Sequence, residues 1–240
     1  MTVSQALKAA SRELCAAVES LRFAEPVTHV YNPLIYAWEL HEQYLDRYAN
    51  TTKRVVFMGM NPGPWGMAQT GIPFGEVAAV RDFMGITGTV QQPKVSHPKR
   101  PVTGLDCGRS EVSGRRLWGA FAERFGRAEA FFEQCLVINY CPLSFMEESG
   151  KNRTPDKLPK SERLPLEAAC DAHLRTCVQT LKPEWLVGIG RWARDKAERV
   201  IGDDRTQIGQ VLHPSPASPA ANRGWSEAAW AQLARQEILS

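Results

Sequence analysis

Arg54-Val55-Val56-Phe57-Met58-Gly59-Met60-Asn61-Pro62-Gly63-Pro64-Trp65-Gly66-Met67-Ala68-Gln69-Thr70-Gly71-Ile72-Pro73-Phe74-Gly75 is the stretch on which the fold turns. Val55, Val56 and Phe57 form a short apolar run of strand-forming residues that stops at Gly59, the pattern of a buried strand. From Gly59 to Gly75 the chain carries five glycines and three prolines, too many breakers for a helix or strand and enough constraint to hold one loop conformation. A loop at the carboxyl end of a buried strand is where open α/β sheets bind ligands. Glycines let backbone N–H groups approach a ligand, and the Asn61 amide can both donate and accept. Met60-Asn61-Pro62-Gly63 alone would also serve as an ordinary turn; the length of the breaker-rich run argues for more.

Working outward, residues 4 to 21 read as an amphipathic helix with Leu7, Cys15, Val18 and Leu21 near one face. Tyr31-Asn32-Pro33-Leu34 is a turn into a second helix over 35 to 48, whose Tyr36, Trp38 and Tyr44 fit a core better than a cofactor box. Residues 76 to 84 predict a short helix, and 93 to 101 a proline-broken basic loop with His97, Lys99 and Arg100. A helix near 114 to 126 follows, with Ser110-Glu111-Val112-Ser113 as its capping region. Leu136-Val137-Ile138 is a second buried strand ending at Asn139, and residues 149 to 163 form a basic loop suited to phosphate or to solvent. A helix over 165 to 181 leads to the strand Trp185-Leu186-Val187-Gly188-Ile189-Gly190, then to a helix over 191 to 201 and a strand over 207 to 212. A final amphipathic helix follows Trp225.

Gly188-Ile189-Gly190-Arg191-Trp192-Ala193 matches a dinucleotide fingerprint, but the ribose-binding acid fails to appear where it should. Asp203 and Asp204 precede the next strand instead of ending it. Six cysteines at 15, 107, 135, 141, 170 and 177 include no C-x-x-C pair and no histidine at metal-ligand spacing, so they read as reduced thiols, and no metal or cofactor is expected. A formal charge of +3 permits a nucleic-acid partner without arguing for one. The start lacks the apolar core of a signal peptide and no run reaches membrane-spanning length. The expectation is therefore a soluble protein, cytoplasmic in a prokaryote or nuclear in a eukaryote, with no membrane partner.

Four strands separated by helices predict an α/β fold: three layers, α/β/α, around a central four-stranded parallel sheet, as one domain over residues 1 to 240. Asn61, Asn139 and His213 then share one rim. An Asn side chain can bind a carbonyl and a ring N–H together, which separates uracil from cytosine. A histidine can stabilise a departing oxyanion, and Phe74, fixed between proline and glycine, can stack on a flat ring.

The run Gly59 to Val77, with His213-Pro214-Ser215-Pro216, resembles the single-strand-selective monofunctional branch of the uracil-DNA glycosylase superfamily. The similarity extends through Val30-Tyr31-Asn32-Pro33, His97-Pro98-Lys99-Arg100-Pro101-Val102, Ser110-Glu111-Val112-Ser113-Gly114 and Ser149-Gly150-Lys151-Asn152. The resemblance implies that Asn61 holds the attacking water, His213 stabilises the leaving base near O2, Asn139 reads the pyrimidine edge, Phe74 stacks on the ring and Met60 shapes the pocket. It implies that Gly63, replacing a bulky tyrosine, leaves room beside C5 for 5-hydroxymethyluracil and 5-formyluracil. It implies that DNA, single- or double-stranded and carrying uracil or other oxidised or deaminated bases, is contacted by Lys151, Asn152, Arg153 and Pro155 and by Ser215, Pro216 and Ala217, the last group wedging into the duplex. Vertebrate relatives carry an arginine just after that motif, whereas this chain has Ala217-Ser218-Pro219-Ala220-Ala221, a smaller wedge that predicts a bias toward single strands or weak pairs.

The chemistry read from the residues agrees. Glycosidic cleavage through an oxocarbenium-like state needs leaving-group stabilisation more than a strong nucleophile, and the absence of a lysine from the runs Gly59 to Val77 and His213 to Pro216 argues against a Schiff base. The base must first leave the stack. The expected protein is a monomer; competing expectations are a same-fold glycosylase for xanthine or hypoxanthine and a DNA-binding relative without activity.

Overall fold

A computed structural model describes residues 1–202 and 205–239, so Asp203 and Asp204 lie outside the described residues. In chain order the helices are α1 (Val3–Glu19), α2 (Pro33–Tyr36), α3 (Trp38–Tyr48), α4 (Met67–Thr70), α5 (Val112–Phe125), α6 (Ala128–Gln134), α7 (Lys160–Leu181), α8 (Arg191–Ile201), α9 (Pro219–Asn222) and α10 (Trp225–Arg235). The strands are β1 (His29–Tyr31), β2 (Val55–Gly59), β3 (Cys135–Asn139), β4 (Ser144–Met146), β5 (Asn152–Arg153), β6 (Trp185–Ile189) and β7 (Gln207–Val211).

The four predicted strands are β2, β3, β6 and β7, and they form one parallel sheet in the order β3-β2-β6-β7. Helices cover both faces. Side chains of α1, α3 and α7 meet β3 on one side, while those of α5 and α10 meet Phe57 of β2 and Val211 of β7 on the other. That double cover is why β2 and β3 are buried at every position and read as unbroken apolar runs. Strand order reverses beside β2, and the crevice at the carboxyl ends lies there.

The register aligns the site. Gly59 of β2 pairs with Asn139 of β3, and Ile189 of β6 pairs with Val211 of β7. Asn139 is thus the last residue of its strand, while Asn61 and His213 each stand two residues beyond the ends of β2 and β7. The fingerprint glycines serve packing: a Cβ on Gly188 would overlap the backbone of Arg194 in α8, and one on Gly190, at φ +92°, would come within 3.1 Å of the His213 Cβ.

Several boundaries differ from the sequence reading. The predicted helix over 35 to 48 breaks at Ala37, whose backbone at φ −113° and ψ 25° is not helical, and Gly71 of the motif loop, at φ +72°, packs so close that a Cβ there would come within 2.7 Å of the Ala37 carbonyl. The helix expected at 76 to 84 is a π-helical turn over Ala79–Phe83. Helix α7 starts at Lys160 and not near 165, with Pro165 inside it, so residues 149 to 163 are not one loop. Residues of that stretch also form β5, which joins β4 and β1 in a second, antiparallel sheet ordered β1-β4-β5. This small sheet holds the basic loop: the Tyr31 hydroxyl donates to the Arg100 carbonyl and accepts from the His97 N–H, and His97 Nε2 meets the carbonyls of Glu147 and Glu148.

Candidate active site

A cavity of about 500 Å³ opens at the carboxyl ends of the parallel sheet. Asn61, Asn139, His213, Phe74, Met60, Gly63, Asn152 and Ser215, all named from the sequence, line it together.

The loop from Gly59 to Gly75 is held from inside. Gln69, buried, donates to the carbonyls of Pro64 and Pro101 and accepts from the Thr103 N–H. Thr70 donates to the Gly75 carbonyl, Tyr36 to that of Ala68, and His41 Nδ1 reaches that of Gly71. These braces leave the loop one conformation. Within it, Asn61 Nδ2 donates to the Leu143 carbonyl at 3.1 Å, which orients the amide and leaves Oδ1 as the acceptor that can hold a water.

Asn139 is buried at 8% exposure. Its Nδ2 donates to the Met67 sulfur at 3.1 Å, and its Oδ1 is buried with no hydrogen-bond partner. An unpaired buried acceptor costs about 1–3 kcal/mol, so Oδ1 is poised for a donor brought by a ligand. Gly59 allows this wall to exist, because a Cβ there would overlap Oδ1 and come within 2.5 Å of the Phe74 ring. Phe74 itself sits at φ +54°, a left-handed conformation costing a bulky residue about 1–3 kcal/mol, held by Pro73 and Gly75. Its ring centroid is 6.1 Å from that of His213.

His213 Nδ1 accepts from the Ser215 N–H at 3.1 Å, which puts the ring proton on Nε2. Burial pushes its pKa below the usual histidine value, so the imidazole is neutral at pH 7 and acts as a donor without carrying charge. No lysine lines the cavity among the described residues.

The sequence reading missed Glu111. It occupies the N-cap position of α5 without making a capping bond, and neither serine of the expected capping region makes one either. Its carboxyl enters the cavity wall, where a Cβ on Gly63 would overlap it and one on Gly66 would come within 2.7 Å of Oε2. The room beside Gly63 is therefore bounded by an acid. The Trp65 and Gly66 N–H groups lie close enough to the carboxyl to favour its charged form, but neither completes a hydrogen bond to Oε2, which is buried without a partner. Burial outweighs them and pushes the pKa up to about 7. Ser113, Thr154, Arg191 and Trp192 also line the cavity and were not singled out from the sequence.

The expected DNA-facing residues divide. Lys151, Pro216 and Ala217 are exposed, and Asn152 and Ser215 reach the cavity. Arg153 is engaged with Glu147 at 2.8 Å and with the Lys157 carbonyl, and Pro155 is buried. Arg116 of α5 braces the segment after His213 by donating to the Pro214 carbonyl and the Asn222 side chain. Near Gly63, the guanidinium groups of Arg109 and Arg100 lie 4.7 and 5.2 Å from the Trp65 ring centre.

Comparison with known proteins bears on this site. The family described as the uracil DNA glycosylase superfamily matches residues 46–234. The chain is 50% identical over 228 residues to the single-strand selective monofunctional uracil-DNA glycosylase of Rattus norvegicus, covering 94% of this chain and 82% of that protein. It is also 50% identical over 224 residues to the Bos taurus protein of the same name, covering 92% of this chain and 82% of the relative. The fold matches the crystal structure of wild-type Pedobacter heparinus SMUG2 with a TM-score of 0.68 at 17% identity, over 95% of this chain and 97% of that one. With three strand ends converging on a cavity and half of all residues shared across nearly the whole length, the chain belongs to the uracil DNA glycosylase superfamily.

Proposed function

We propose that the chain removes uracil from DNA by hydrolysing the bond between the base and deoxyribose, favouring single strands, and that it also accepts uracils substituted at C5. The observation that carries this reading is the bare Oδ1 of Asn139, a buried acceptor without a partner, in the same cavity as a neutral imidazole donor.

In the proposed reaction the flipped pyrimidine lies on Phe74. Asn139 Oδ1 accepts from N3–H, and the second proton of its Nδ2 faces O4. The C1′–N1 bond breaks with its electron pair passing into the base. His213 donates from Nε2 to the O2 on which the negative charge collects, and a dry site makes that bond worth far more than it would be in water. A water held by Asn61 Oδ1 adds to C1′ as the sugar becomes oxocarbenium-like, and the proton it then loses neutralises the departing uracil anion. Asn61 is no base; it positions the water. Without a lysine to form an imine, the product is an abasic site with the strand intact.

Because α1 and α10, from opposite ends of the sequence, pack into the layers flanking one sheet, we also read residues 1 to 240 as one domain. The test is excision from single- and double-stranded oligonucleotides carrying uracil, 5-hydroxymethyluracil, 5-formyluracil, xanthine or hypoxanthine. Abasic product from uracil, lost in Asn61→Ala, supports the reading; product only from the purines overturns it.

A further inference from the structure

The cavity has three walls. Asn139 and Phe74 converge over Gly59, His213 stands over Gly190, and Glu111 lies against Gly63 and Gly66. A pyrimidine has three edges besides the sugar bond: O2, then N3–H with O4, then C5 with C6. If Asn139 takes the second and His213 the first, the third faces Glu111. Uracil itself offers only C–H groups there, and nothing within the protein pairs with Oε2.

We propose that the Glu111 carboxyl recognises an oxygen-bearing substituent at C5 of the flipped pyrimidine. This rests on the reading of the cavity as a uracil pocket. The ionised carboxylate can only accept, whereas the neutral acid can also donate. A pKa raised to about 7 by burial makes both forms available near neutrality. A formyl oxygen only accepts, so it needs the neutral acid. A hydroxymethyl group donates and accepts, so it suits either form.

The charged groups around the acid are Glu76, whose carboxylate raises the Glu111 pKa further, His213 and Arg191 on the cavity wall, and Arg100 and Arg109 over Trp65. His213 serves every substrate, so its titration cancels in a ratio of substrates.

The experiment measures single-turnover excision of uracil, 5-hydroxymethyluracil and 5-formyluracil from single-stranded oligonucleotides across neutral pH. Wild type, Glu111→Gln and Glu111→Ala are compared, with thermal melts to check folding. In the wild type, the formyluracil-to-uracil ratio falls as pH rises through about 7, while the hydroxymethyluracil-to-uracil ratio stays level. Glu111→Gln keeps a donor at every pH, so the formyluracil ratio becomes flat. Glu111→Ala lowers it by about tenfold, one hydrogen bond's worth.

Ratios indifferent to pH and to both variants overturn the proposal, as does a wild type that excises uracil but not formyluracil. An equal loss on all three substrates also overturns it, since that marks a brace for the Gly63–Gly66 turn. If Glu111→Ala fails to fold, the wild-type and Glu111→Gln pH profiles still decide. A wild type inactive on uracil removes the underlying reading too, whereas activity on uracil with unresponsive ratios removes only the role of Glu111.

Discussion

The loop after β2 and the loop after β7 both carry a cavity-lining side chain two residues past a strand end, Asn61 and His213, and they are built in opposite ways. The first, from Gly59 to Gly75, is closed by buried Gln69 and Thr70 and by Tyr36 and His41 from α2 and α3. The second fixes only its root: Ser215 N–H on His213 Nδ1, and Arg116 on the Pro214 carbonyl. Its tip, Pro216-Ala217, is exposed, with Ala217 N–H capped locally by the Ser215 hydroxyl. In the proposed reaction the groups aimed at the bond to be broken are thus preorganised, while the exposed tip that we propose meets DNA is small.

The sharpest way to break this contrast is to remove the aimed groups. Asn61→Ala and His213→Asn are each expected to slow single-turnover excision by about 10²–10³-fold, with folding retained. Comparable losses from Pro216→Ala would show that the tip is not the lesser partner.

A second test uses acid. Burial lowers the His41 pKa to about 4, against 6.5 for the unfolded chain. Between those values the unfolded state binds the extra proton, so stability rises with pH, and falling pH removes it from about 6.5 down to about 4. The full loss is on the order of 3 kcal/mol. Denaturant titrations across that window are expected to show the slope, and His41→Gln is expected to reduce it by roughly half, because burial also pushes His173 down to about 4 and it titrates over the same window.

Gln69→Ala is smaller in stability. It leaves the Thr103 N–H and two carbonyls without their partner, costing about 1–3 kcal/mol in a denaturant melt and slowing uracil excision by loosening Asn61. Smallest of all is the change at the tip. Ala217→Arg supplies a cation and a wedge, and the duplex-to-single-strand activity ratio is expected to rise by roughly threefold. A ratio unmoved by that substitution would mean strand preference is set elsewhere, with Trp65 and its two arginines next in line.

What could be read from the sequence follows from what was local. The four parallel strands announce themselves because both faces are covered, and a strand end followed by Asn or His is visible as such. Strands β1, β4 and β5 were not legible: they are two or three residues long and exist only through pairings such as His29 with Met146. The start of α7 was placed late, at 165 instead of Lys160, because the basic stretch over 149 to 163 reads as a loop, although its end folds onto the Pro159 carbonyl and Pro165 lies within the helix's first turns. Glu111 was hidden by its neighbours, since a Ser-Glu-Val-Ser run reads as a helix start. Only the fold reveals that the carboxyl points at Gly63 instead of the helix.

The bare oxygen of Asn139 links selectivity to the stability of the whole fold. The free protein bears the cost of an unsatisfied acceptor, and any occupant bringing an N–H to that point relieves it. Free uracil, the product, should therefore raise the melting temperature. Cytosine, which would set a ring lone pair against Oδ1, should leave it unchanged, so a calorimeter could see the enzyme's discrimination with no DNA present and no bond broken.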